Sequence, residues 1–149
     1  MVNNRYLEGA SIVSYCSLQA RIGDIDEALR SFAEAVRHWL RAANTTQQLT
    51  TLRNLAGLFQ RVDAPEATAD LLGTVDRSHV PTYGEEAARL DDARAWAVTE
   101  LGTARYEQLT TAGAARDITS AANVALQLID TTLRRPRRNT SSPNRQRQP

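Results

Sequence analysis

The sequence predicts an all-α protein: tetratricopeptide-like helical hairpins forming a short right-handed α-solenoid of about seven helices, followed by a disordered basic tail. Three observations carry that expectation. Apolar residues recur at helical spacing along the chain. Start and stop signals bracket those runs at short intervals. Small and large apolar residues then return at a fixed offset from one helix pair to the next. Composition agrees, with 42% hydrophobic residues but only 5% aromatic ones. A core of Leu, Ala, Val and Ile suits helices packed at close range.

The first helix is expected from about Arg5 to Ile22, with Tyr6, Ala10, Val13, Ser17 and Ala20 on one stripe and Ile12, Tyr15, Cys16 and Gln19 beside it. Gly23-Asp24 breaks the pattern, and Asp24 with Glu27 reads as the cap of a second helix running to about Ala43. Its apolar face is Ile25, Ala28, Leu29, Phe32, Ala35, Val36 and Trp39. Asn44 reads as a stop, and Thr45-Thr46-Gln47-Gln48 as the capping box of a third helix carrying Leu49, Leu52, Leu55, Ala56, Leu58 and Phe59. Asp63-Ala64-Pro65-Glu66 supplies a cap, an early proline and an acid for a short fourth helix with Ala67, Leu71, Leu72 and Val75. After the loop His79-Val80-Pro81, Thr82-Tyr83-Gly84-Glu85 starts a fifth helix ending near Leu101-Gly102. Thr103 starts a sixth that ends near Gly113, and Asp117 a seventh that Pro136 terminates. Residues 1–134 are thus expected as one repeat domain and 135–149 as an Arg-rich disordered tail.

The repeat shows in matched positions. Ala28, Phe32 and Ala35 follow the turn at Gly23, with Cys16 as the small residue of the preceding helix. Thr68, Leu72 and Val75 follow the turn at Asp63, with Ala56 in the corresponding place. Small residues let paired helices approach, and the large ones fill the space between repeats. From Ala28 to Thr68 the offset is 40 residues, longer than the tetratricopeptide repeat of about 34.

The run Gly23-Asp24-Ile25-Asp26-Glu27-Ala28-Leu29, then Trp39, then Asn44 to Ala56 with its Thr-Thr-Gln-Gln and Leu-Arg-Asn-Leu segments, resembles a known type of repeat region. It is similar to the C-terminal helical repeats of large multidomain bacterial regulators, common in actinobacteria. These join an ATPase module to a LuxR-type DNA-binding domain or a class III adenylate cyclase domain. Pro81-Thr82-Tyr83-Gly84-Glu85 and Asp117-Ile118-Thr119-Ser120-Ala121-Ala122 fit the closing segments of such chains. The resemblance implies a regulatory scaffold that transmits a signal through protein contacts. It does not bring an enzymatic activity, because the ATPase, cyclase and DNA-binding modules have no counterpart here. Thr110 stands where the family places the second of two aromatics, after Tyr106 and ahead of Gly113, which argues against tight packing of the last hairpin.

Several function classes are disfavoured. The chain has no lysine, so it lacks a phosphate-binding loop ending in Lys. A single cysteine, Cys16, excludes an internal disulfide and a cysteine-rich zinc site. No apolar run reaches the ~18 residues of a membrane span, and the N-terminus shows no signal-peptide core; a cytoplasmic protein is expected. His38 and His79 lack partners at ligand spacing, so no metal and no cofactor are expected. Glu85-Glu86 and Asp91-Asp92 read as a solvated helix face, and Trp96 as a packing residue.

Net charge is +1, but residues 134–149 hold six arginines and no acid, leaving the body at −5. An acidic body disfavours a nucleic-acid-binding domain. The alternative function, a nucleic-acid accessory protein, acts through the tail alone.

The expected ligand surface is the inner face of the repeat array. There Ser17, Arg53, Asn54 and Gln60 are the candidate polar contacts to a partner protein or peptide. A second candidate surface is the open end of the array. Met1 falls a few residues before the first helix, so Leu7 and Val13, with Tyr6, Ala10 and Ser14, are expected to seek a partner or form a weak homodimer.

Overall fold

A computed structural model describes residues 24–136 of the chain. The helices are α1 Ile25–Ala42, α2 Thr45–Arg61, α3 Pro65–Arg77, α4 Gly84–Leu101, α5 Thr103–Ala114 and α6 Ile118–Arg134, with no strand among the described residues. The first helix expected at 5–22 and the tail from residue 137 lie outside the described residues.

Caps explain most of the boundaries. The Asp24 carboxylate accepts from the Asp26 and Glu27 N–H groups at 2.8 and 3.5 Å, opening α1. At its end Ala43 adopts a left-handed φ of 51°, and the N–H groups of Ala43 and Asn44 donate to the Leu40 and Trp39 carbonyls. The start of α2 departs from the expected capping box. Asn44, read as a stop, is itself the cap: its side chain accepts from Gln47 N–H at 3.0 Å. Gln48 is instead drawn inward, donating from Nε2 to the Val36 carbonyl at 3.1 Å and tying α2 to α1. Asp63 also departs from expectation. It occupies a left-handed turn with φ 58°, and α3 begins after Ala64 with no side-chain cap but with Pro65 in its first turn. Asp117 behaves as read, accepting from Ser120 N–H at 2.7 Å.

The core is one cluster built from every helix except α5, against which Tyr106 of α5 packs. Of the positions matched in the sequence, Ala28, Phe32, Ala35, Ala56, Thr68, Leu72 and Val75 are buried, and Cys16 lies outside the described residues. Thr68, matched to Ala28, is buried at little cost because its hydroxyl donates to the Ala64 carbonyl at 3.0 Å.

Cross-links fix the directions of the helices. Arg53 pairs with Glu86 and Gln60 with Asp92, so residue number rises together along α2 and α4 and the two helices run parallel. Glu66 pairs with Arg105, Thr74 donates to the Gly113 carbonyl at 2.8 Å and Arg77 to that of Ala114, so α3 and α5 are parallel as well. The hairpin α2–α3 is therefore followed by the hairpin α4–α5 in the same sense.

Helices α3 and α5 cross with their backbones close together. A Cβ on Gly73 would collide with the Thr110 carbonyl, and one on Gly113 with the Asp70 carbonyl. Thr110 lies at this crossing, with its backbone against Gly73 of α3. The last described helix does not simply extend the row of hairpins. It turns back instead: α6 packs on α1, α2 and α3, bringing the first and last described helices into contact.

Candidate functional site: a cleft between α2 and α4

The parallel pair α2 and α4 is joined at two levels. At one, the Arg53 guanidinium donates through Nη1 to Glu86 Oε1 at 3.2 Å and through Nη2 to the Val80 carbonyl at 2.7 Å. At the other, Gln60 Nε2 donates to Asp92 Oδ2 at 2.9 Å. Gly57 lies between these levels on α2, and a Cβ there would meet nothing within 4 Å. The result is a cleft of about 670 Å³ with Gly57 and Asn54 on one side and Arg89 on the other.

Its floor is apolar. Phe32, Leu58 and Leu90 line it while being almost fully buried. Its walls carry charge. Arg61 and Arg89 are exposed, and neither finds a carboxylate among the described residues. Some other arginines are engaged, Arg94 with Asp76 and Asp91, Arg105 with Glu66 and Arg116 with Asp70, whereas Arg30, Arg37 and Arg41 on α1 likewise form no ion pair among the described residues. Arg53 is different again. Its side chain is only 8% exposed, and its Nε–H has no acceptor among the described residues although both Nη groups are used. Beside that end of the cleft the Arg53–Val80 bond fixes the loop Ser78–Tyr83, which exposes Val80 by 50% and Tyr83 by 79%.

Of the residues singled out from the sequence, Arg53, Asn54 and Gln60 are brought together along this cleft. Arg53 and Gln60 also brace the neighbouring helix, so Asn54 is the one of the three with an uncommitted side chain among the described residues. Ser17, Leu7 and Val13 lie outside the described residues. The paired acids are less uniform than a solvated face: Glu86 and Asp92 hold α4 to α2, whereas Asp91 pairs within α4 with Arg94. Sequence reasoning missed Arg61, Arg89 and Tyr83. Arg89 is one exposed arginine among many, and only the fold sets it opposite a glycine.

The groups with displaced proton affinities stand away from the cleft. Hydrogen bonding to Asp76 raises Arg94, burial raises the Tyr106 phenol, and the Ser120 N–H lowers the Asp117 carboxyl. His38 is buried edge-to-face against Trp39 with ring centroids 4.7 Å apart, and His79 is exposed in its loop. No group of three or more metal-binding side chains converges among the described residues, and no described helix is long and apolar enough to cross a membrane. Searches against protein-family models, curated proteins and solved structures returned no match to this chain.

Proposed function

We propose that this chain is a protein-interaction module, a short tetratricopeptide-like array that takes a peptide segment in the α2–α4 cleft. The observation that carries the reading is the cleft itself: two polar cross-links hold parallel helices apart over an open glycine and an apolar floor. Ligand sites combine an apolar lining with a few placed polar groups, and this cleft has that make-up. The repeat reading draws support from the spacing between hairpins. The α2–α4 cross-links join residues 33 and 32 apart, and the α3–α5 contacts join residues 39 and 37 apart. These bracket the length of a tetratricopeptide unit, about 34 residues. The module is a scaffold, not an enzyme, and fits the role of a relative of the C-terminal regions of large bacterial regulators.

Random-peptide display tests this on the full chain and on Gly57→Trp. The indole enters open space, so the helix is retained, and a circular dichroism spectrum checks that. The wild type is expected to enrich sequence families that Gly57→Trp does not. Equal enrichment by both proteins, or by neither, would overturn the proposal.

A further inference from the structure

Resting on that reading of the cleft, we propose that its occupant is an extended acidic segment of a partner protein carrying an apolar side chain beside its carboxylates. Length comes first. From Arg53 to Gln60, the two braced levels of α2, the helix rises about 10 Å. An extended strand advances about 3.3 Å per residue, so roughly three residues fit between the braces. Gly57 leaves the middle of that span open, and the floor of Phe32 and Leu90 suits an apolar side chain pointing down into it.

Charge then selects the neighbours of that side chain. Between residues 24 and 136 the chain has 12 arginines against 16 acids. The cleft reverses this balance, with Arg53, Arg61 and Arg89 against Glu86 and Asp92. Glu86 is already held by Arg53, and Arg61 and Arg89 are left as guanidinium groups without a carboxylate among the described residues. A guanidinium binds a carboxylate through two aligned N–H groups, so these two arginines favour Asp or Glu flanking the inserted side chain. Tyr83 and Val80, exposed at the Arg53 end, extend the apolar contact beyond the cleft. A peptide is favoured over a nucleic acid because residues 24–136 carry more acids than arginines and the cleft spans too short a length to follow a phosphate backbone.

Fluorescence anisotropy with the full chain tests the assignment. The probes are three pools of end-capped peptides with matched Leu and Phe content, whose charged positions are acidic, neutral or basic, together with a single-stranded oligonucleotide. The acidic pool is expected to bind most tightly and to weaken as salt is added. Arg61→Glu and Arg89→Glu are each expected to weaken it about tenfold. Tyr83→Ser should weaken it without changing the salt dependence. If neutral or basic pools bind as well and Gly57→Trp still abolishes binding, the acidic assignment fails while the peptide-site reading stands. If no pool binds, both fail. Binding of the oligonucleotide alone would replace the acidic peptide with a nucleic acid.

Discussion

Three helical glycines, Gly57, Gly73 and Gly113, make opposite demands, and alanine at each provides a calibrated test of the packing. A glycine in the middle of a helix costs roughly 0.8–1 kcal/mol relative to alanine, so Gly→Ala is favourable wherever the methyl group fits. At Gly57 it meets nothing within 4 Å, and Gly57→Ala is expected to stabilise the protein by up to about 1 kcal/mol. At Gly73 the same methyl would stand 2.8 Å from both the Cα and the carbonyl carbon of Thr110, where ordinary contact is 3.4–4 Å, and closer still to the oxygen. At Gly113 it would lie 3.0 Å from the Asp70 carbonyl carbon and 3.3 Å from Thr74 N. These neighbours are backbone, so no side chain can swing aside and the helices α3 and α5 must part. Overpacking of that kind costs typically 1–3 kcal/mol, and here it also stretches the Thr74–Gly113 hydrogen bond, worth about 1 kcal/mol. Net of the helix gain, Gly73→Ala and Gly113→Ala should each destabilise by about 1–3 kcal/mol. Urea unfolding followed by circular dichroism measures all three. Stabilisation by Gly73→Ala or Gly113→Ala comparable with that of Gly57→Ala would refute the close crossing.

Other perturbations address the caps and the brace. Ala43 holds a left-handed φ of 51° at the end of α1, so Ala43→Gly should gain about 0.5–1 kcal/mol in the same urea assay. Asp117 caps α6 with a carboxyl whose pKa is lowered by the Ser120 N–H. Its contribution is fully present above the ordinary carboxylate pKa and lost as pH falls through the lowered folded value. The stability gap between wild type and Asp117→Ala should therefore narrow on acidification, and a gap constant with pH would contradict the cap. Arg53→Met removes both the Glu86 pair and the bond to the Val80 carbonyl. Glu86 keeps contact with water, so the loss should be about 1–2 kcal/mol, with faster proteolysis in the loop Ser78–Tyr83.

Local chemistry was legible in the sequence, and long-range chemistry was not. Asp24 and Asp117 announce helix starts because a cap is made within three residues. Ala28, Phe32 and Leu72 announce a buried face because periodicity is also local. Asn44 and Gln48 were misassigned for a reason of the same kind. The Thr-Thr-Gln-Gln run satisfies a capping pattern, but Gln48 is buried by α1, a contact made 12 residues away. Gly113 reads as a helix end, and α5 ends one residue later at Ala114, but no local pattern reveals that its missing side chain admits the backbone of α3. Arg53, Asn54 and Gln60, expected to share one face from helical spacing, do lie along one cleft. That spacing did not reveal that Arg53 and Gln60 are committed to partners 33 and 32 residues away, which leaves Asn54, Arg61 and Arg89 as the cleft groups that the proposed function relies on. The turn of α6 back onto α1 likewise depends on contacts between chain ends that no local pattern encodes.

The central claim is that ligands enter between α2 and α4. The most direct measurement is a heteronuclear NMR titration of the full chain with a display-selected peptide, following backbone amides and arginine side chains. The account predicts shift changes concentrated at Asn54, Gly57 and Arg61 on α2 and at Arg89 and Leu90 on α4, fading toward α6. Changes concentrated on α6 or on the outer face of α1, with those residues unmoved, would contradict it.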